Sequence, residues 1–380
     1  MLKRMKKLLA LAGLTASLFL PAGITAFAAD LGGNCCADLE ERVAELEATS
    51  AKKGNKKVSV TVYGTVNYGV MWSTLDTGPL NKTAIVSPAH DPSRFGFAGQ
   101  GKINTETQAG FVFEFEVKSN FVSGALNVLG DPWVQTRKAS VWIESKTLGR
   151  LTLGKDSQAT DGLSEITVAN TRVAAPMLRV SPLEYYTIVD PVGISGTRTE
   201  LVRYDTAAIA GFTGSASWAS DKTWDAALRF AKEVGGFQIA AGVGMREQGD
   251  GLNLLSLTAP DTRFYLGSAS IKHMGSGLFA NGAYSTFKGT TLLQGTDQQA
   301  WAIQAGIEKN FFGPGATTAF GEFQQIDRQS TDAIKFWGLG LVQSFDAASI
   351  DLYANWRSYE ANSLSASRDD VFMSGMRIKF

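Results

Sequence analysis

The sequence predicts an all-β chain, a 16-stranded antiparallel transmembrane β-barrel with an inward-folded third loop and a short N-terminal helix. Three observations predict it. From about residue 58 onward, apolar and polar side chains alternate in stretches long enough to cross a bilayer, as a strand with two unlike faces requires. The connections between these stretches alternate between short and long, as expected when turns emerge on one side of a membrane and loops on the other. No run of eighteen apolar residues exists, so spanning helices are excluded, and only a closed sheet then pairs every backbone group within lipid.

Residues 1–28 read as a signal peptide and stand apart from the fold. Lys3, Arg4, Lys6 and Lys7 form a basic start, and LLALAGLTASLFL is an apolar core of thirteen residues, too short to span as a helix. Ala26-Phe27-Ala28 offers small residues for cleavage, so the exported chain is expected to begin at Ala29. Without the leader, 32 Lys and Arg face 36 Asp and Glu, a net charge of −4. That balance excludes a nucleic-acid partner, which needs a basic surface. Cys35 and Cys36 are adjacent and have neither the spacing of a metal site nor that of a disulfide framework.

Residues 29–56 are expected to form a periplasmic N-terminal helical segment. Leu39, Val43 and Leu46 recur at helical spacing among acidic residues, and Lys52, Lys53, Lys56 and Lys57 follow, matching the helix dipole. Two heptads are too few for an isolated coiled coil. The segment is either a stalk zipped by an oligomeric body or a simple spacer.

Residues 57–380 form the barrel. In the first strand Val58, Val60, Val62, Val66, Tyr68, Val70 and Trp72 share one face, and Ser59, Thr61, Tyr63, Thr65 and Asn67 the other. Further strands are expected near 93–103, 109–118, 134–144, 150–155, 200–205, 211–219, 223–231, 236–245, 263–271, 278–287, 300–309, 316–325, 334–345, 349–359 and 370–380. Tight turns at Asn104–Gln108, Ser145–Gly149, Thr206–Ala210, Lys232–Gly235, Lys272–Gly277, Asn310–Gly315 and Asp346–Ala348 alternate with longer loops at Thr74–Pro92, Ser119–Trp133, Arg246–Thr262, Lys288–Gln299 and Glu360–Asp369. An even strand count puts both termini on the periplasmic side. Tyr63, Trp72, Trp218, Trp224, Trp301, Trp337, Tyr353, Trp356 and Tyr359 lie near strand ends and are expected to form an interfacial girdle. The alternation stops over residues 156–199, a connection too long for a compact domain unless it has a function of its own. It is expected to fold into the space that the wall encloses.

Within that segment Asp156, Asp161, Glu165, Glu184 and Asp190 outnumber Arg172, Arg179 and Arg198. On the wall, Arg94 and Lys102 oppose Phe95 and Phe97, Lys138 opposes Val141, Arg150 opposes Leu151 and Leu153, and Arg203 opposes Val202 and Tyr204. Loop acids set against wall bases would create a transverse field in a narrow lumen. Chemistry of other kinds has little support. Gly149 to Lys155 has the spacing of a phosphate-binding loop, but Asp156 stands where Ser or Thr should hold magnesium, and the stretch alternates as a strand. His90 and His273 are the only histidines and neither sits in a nucleophile or metal motif. No catalytic, cofactor-binding or metal-binding residues are expected.

In order, VSVTVYGTVNYGV, SRFGFAGQGKI, GFVFEFEV, RKASVWIESKTLGRLTLGK, LVRYDTAAIAGFTGSASW and the terminal VFMSGMRIKF resemble the general-diffusion porins of Gram-negative bacteria, in particular the trimeric alphaproteobacterial type. The resemblance runs from about Lys57 to Phe380. It implies a homotrimer among outer-membrane lipids, whose third outer loop narrows a water-filled channel for ions and small hydrophilic solutes. It also implies that the strand ending in Phe380 is the assembly signal. The Pro-Glu-Phe-Gly-Gly loop motif of enterobacterial porins is missing, and the helix near 31–50 is an addition. A solute-selective channel and a plugged structural or adhesive barrel are the other functions such a wall supports.

Overall fold

The computed structural model describes residues 58–74, 83–88, 90–117, 134–178, 198–249, 262–291, 295–328, 331–361 and 369–380. The expected helix at 31–50, the loop 119–133, and Glu184 and Asp190 lie outside them. The described strands are β1 (Ser59–Ser73), β2 (Thr83–Val86), β3 (Arg94–Lys102), β4 (Thr107–Val117), β5 (Val134–Ser145), β6 (Gly149–Ser157), β7 (Arg198–Asp205), β8 (Phe212–Ala219) and β9 (Trp224–Val234). They continue with β10 (Phe237–Glu247), β11 (Arg263–His273), β12 (Leu278–Thr291), β13 (Gly295–Lys309), β14 (Thr317–Arg328), β15 (Thr331–Phe345), β16 (Ile350–Ala361) and β17 (Asp369–Lys379).

Each strand from β3 to β17 pairs antiparallel with its successor, and β17 pairs with β1 from Thr65↔Lys379 to Ser73↔Val371. The sheet therefore closes. Gly64 and Phe380 exchange both backbone hydrogen bonds at the seam, at 2.8 and 3.1 Å, which places the start of β1 and the end of β17 at one rim. β2 and β3 occupy the same edge of β1, at Trp72–Gly69 and Thr65–Ser59 respectively. Seventeen segments thus make a 16-stranded barrel whose second stave is broken at residues 87–93. At the same rim, β9 and β10 meet in a two-residue turn in which Gly235 and Gly236 both take positive φ, 57° and 81°. Those angles suit the strand twist and exclude most side chains.

The two faces of the wall differ as the alternation predicts. Val62, Val66, Val70, Phe97, Phe113, Val141, Leu153, Val243, Ile303 and Leu339 are exposed. At the intervening positions Thr65, Asn67, Glu114, Glu116, Ser140, Ser217, Asn281 and Gln304 are buried. In a closed sheet the exposed apolar set is the outer surface, and it is at home only against lipid.

Three expectations need correction. Thr74–Pro92 is not loop throughout, because Thr83–Val86 pairs with β1 and the chain re-enters the wall. Lys288–Gln299 is mostly strand, with Thr290↔Thr296 and Thr291↔Gly295 extending the β12–β13 ladder past an irregularity after Phe287. Of the expected aromatic girdle, Tyr63, Tyr353 and Tyr359 belong to the inner face. Tyr63 donates to Glu114, Tyr353 donates to Asn67, and the Tyr359 ring packs 5.0 Å from that of Phe336. A phenol on that face has polar partners that lipid does not offer.

Candidate functional site

Asp156 pairs with Thr199, and Ser157 with Arg198, so β6 and β7 run slightly beyond the limits that alternation suggested. The chain that leaves β6 then follows the inner face of the wall. The Arg203 guanidinium donates to the Ser157 and Gln158 carbonyls at 3.0 and 3.2 Å. Asp225 on β9 accepts from the Thr160 amide and hydroxyl, both at 2.7 Å, and Arg229 donates to the carbonyls of Ala159 and Asp161. A single 3-10 turn, Leu163–Glu165, is seated on β10 and β11, where Ser268 donates to the Leu163 carbonyl and receives the Ile166 amide.

The segment next descends towards the rim that carries the tight turns. Ser270 accepts from the Val168 amide at 2.9 Å, and Lys272 donates to the Val168 carbonyl. At the lowest point the Asn170 amide donates to Glu308 at 2.5 Å, and its side chain donates to Asp351 at 2.9 Å and to Ser344. Glu308 also pairs with Lys272, and Asp351 with Arg377 and Lys379, so each acceptor is shared between the segment and the wall's own bases. The chain then rises. His90, in the break between β2 and β3, bonds the Val173 carbonyl at 3.2 Å. Asn355, Gln304 and Arg357 hold the carbonyls of Ala174, Ala175 and Pro176 in turn, and Gln324 accepts the Leu178 amide at 2.6 Å.

These bonds account for a feature of the wall that alternation alone misreads. The inner face is not polar throughout: Phe264, Leu266, Phe279, Ala302, Phe320 and Val342 occupy inward positions and are buried. They form one apolar cluster with Leu163, Val173, Ala174, Ala175, Met177 and Leu178 of the segment. Burying a side chain of Leu or Val size contributes roughly 1.5–3 kcal/mol, so this second core fixes the segment as firmly as its hydrogen bonds do.

All five predicted wall bases stand on the inner face, and most have an acid beside them. Arg94 pairs with Asp91 at 2.9 Å, Lys138 with Asp156 at 2.7 Å, and Arg203 with Asp205 at 2.7 Å. Arg150 lies 4.2 Å from the Trp142 ring, between Glu144 and Asp205 in register, while Lys102 is exposed at the end of β3 opposite Gln108. Asp161 pairs with Arg198 at 3.2 Å and Glu165 with Arg172 at 2.8 Å. The described acids thus meet bases close by. Sequence reasoning missed the buried pair Glu322–Arg357 and the triad of Arg137 with Glu114 and Glu116. Glu322, Arg357, Glu114 and Glu116 sit at inward parity, the signal that picked out the other bases, applied too narrowly. Arg137 has the parity of outward Val141 and turns inward only at the register shift between Glu114 and Phe115.

Among the described residues no group of His, Cys, Asp and Glu has the geometry to hold a metal ion. A family profile described as Gram-negative porin matches residues 14–375. No curated protein matches the sequence. Solved structures similar to it include the anion-selective porin from Comamonas acidovorans, at 15% identity over 85% of this chain and 100% of that one, with a TM-score of 0.61. The trimer form of OmpT from Vibrio cholerae is 15% identical over 86% and 100% of the two chains, with a TM-score of 0.57. OmpF of Salmonella typhi, in complex with daunomycin, is 13% identical over 86% and 99%, also with a TM-score of 0.57.

Proposed function

The chain belongs to the Gram-negative porin family, and from that premise we propose that the segment 156–199, with 157–178 seated on the wall, sets the bore of its outer-membrane channel and that the channel discriminates only weakly between ions. The barrel is a passive diffusion channel rather than an enzyme. Its permeants are ions and small hydrophilic solutes, its working form is a homotrimer in outer-membrane lipid, and residues 1–28 are the leader that exports it. Asp156, Asp161 and Glu165, with Glu184 and Asp190, are the acids of the constriction, and Arg94, Lys102, Lys138, Arg150 and Arg203 the bases of its wall.

The observation that carries weak discrimination is local pairing of charge. Lys138 sits 2.7 Å from Asp156 and Arg203 sits 2.7 Å from Asp205. A carboxylate neutralised at contact distance adds little to the field at the centre of a water-filled lumen, where ions experience net charge and radius. Purified protein in a planar bilayer tests this. Across a tenfold KCl gradient, a permeability ratio within roughly three-fold of unity is expected for locally paired charge. A ratio far from unity, of either sign, sinks weak discrimination, and absence of current sinks the channel itself.

A further inference from the structure

Glu322 on β14 and Arg357 on β16 form an ion pair at 2.7 Å although β15 lies between their strands. The residue in register between them is Gly338. A Cβ there would stand 2.8 Å from Glu322 Cγ and closer still to its carboxylate oxygen. Glycine therefore opens a window in β15 through which two charged side chains meet, lying flat against the backbone instead of projecting into the lumen. The same device recurs. Tyr63 on β1 reaches Glu114 on β4 across Gly96, and Tyr353 on β16 reaches Asn67 on β1 across Gly375.

The Glu322–Arg357 pair does more than brace the wall. Glu322 Oε2 accepts from Gln304 at 3.0 Å and from Gln324 at 2.9 Å. Those amides and Arg357 are the groups that grip the carbonyls of Ala175 and Pro176, and Gln324 also accepts the Leu178 amide. The carboxylate thus fixes which way each donor points. Both members of the pair are almost fully buried, at 1% and 0% side-chain exposure, so water does not substitute for either. Breaking one partner of such a pair is far more disruptive than breaking an exposed one.

We propose that Glu322, Arg357, Gln304 and Gln324, seated over Gly338, are the positioning residues that hold the rising limb of the inner segment against the wall, and so fix the open cross-section of the channel. The inference rests on residues 157–178 being the constriction. It assigns the specificity-determining geometry to a clamp whose residues sit behind the limb they hold.

The full chain, with Cys35→Ser and Cys36→Ser to remove the native thiols and Val173→Cys as a reporter, tests it. Val173 is fully buried, so the reporter thiol is expected to resist a charged methanethiosulfonate reagent in the parent. Arg357→Met, Gln324→Leu and Gly338→Ala are each compared with that parent for reagent rate and single-channel conductance. In Gly338→Ala the nearest obstacles are the Cγ, Cδ and a carboxylate oxygen of Glu322 and no backbone atom, so the hydrogen-bond ladder of the wall is spared while Glu322 is displaced. Release of the limb is expected to raise the thiol rate about tenfold or more and conductance by roughly two-fold, with heat stability of the barrel close to that of the parent in Gly338→Ala and Gln324→Leu and lowered in Arg357→Met. Parental thiol rate and conductance in both Gly338→Ala and Gln324→Leu would overturn the clamp, even if Arg357→Met failed to fold. A faster thiol with unchanged conductance would keep the clamp but remove residues 157–178 as the constriction, so the two failures are distinguishable.

Discussion

At the scale of single residues, two glycines on β10 separate a contact with the inner segment from a contact with the wall. A Cβ on Gly242 would meet the side chains of Leu163 and Ile166, at 2.6 and 2.7 Å. A Cβ on Gly244 would also meet Leu163, at 2.6 Å, but in addition the Ala226 carbonyl, which belongs to β9, at 2.7 Å. The first clash is relieved by lifting two side chains towards the lumen, while the second presses on backbone that a ladder of hydrogen bonds holds in place. Gly242→Val is therefore expected to lower single-channel conductance with little change in thermal unfolding. Gly244→Val is expected to cost about 1–3 kcal/mol of barrel stability as an overpacked site. Conductance traces and heat-dependent gel mobility of the two variants check this, and an identical profile for both would refute the distinction. Neither glycine was legible as a seat in the sequence. A glycine at inward parity in a strand signals a close approach of some kind, but Leu163 is some eighty positions away and only the fold names it.

At the scale of elements, legibility followed the lipid. Where a strand crosses the bilayer its outward residues must be apolar, and β1, β5, β6 and β17 were readable within a residue or two from that alternation alone. Above the bilayer both faces of a strand meet water, so the period-two signal vanishes although the hydrogen-bond ladder continues. This is why the stretch from Lys288 to Gln299, mostly Gly, Thr and Gln, reads as loop although 288–291 and 295–299 are strand. The four-residue β2 is too short to show a period at all. The inner segment has no period either, because its partners are wall side chains rather than a neighbouring strand. If the β12–β13 ladder continues as the register indicates, backbone amides through the Thr290↔Thr296 rung will be protected in hydrogen exchange beyond the apolar part of the hairpin. Exchange at the rate of an unstructured loop from Lys288 onward would contradict the extension.

At the scale of the whole molecule the barrel is divided lengthwise. Residues 157–178 bond to side chains from β7 round to β16 and to His90 in the break between β2 and β3. They share an apolar cluster with several of those strands and, away from the turn rim, with Met71 of β1 and Val86 of β2. The inner faces of β1, β3 and β4 near the turn rim are not so covered: Thr61 and Gln100 point inward and are exposed. On the covered side Ala302 and Ala283 also point inward, yet they are 1% and 8% exposed. Water and solute are thus expected to pass along one side of the lumen only, beside Arg94, Lys138 and Arg150, while the other side is dry core. A cysteine scan in a chain lacking Cys35 and Cys36 measures this division directly. Thr61→Cys and Gln100→Cys should react with a charged thiol reagent and lose current, since an added group in the conducting path reduces its section. Ala302→Cys and Ala283→Cys should be slow to react and leave current unchanged. Equal reactivity on both sides would mean that the inner segment does not stay against the wall in the membrane. In that case the apolar residues at inward positions from β11 to β15, buried here beneath Val173, Ala174 and Met177, would face water with no partner to justify them.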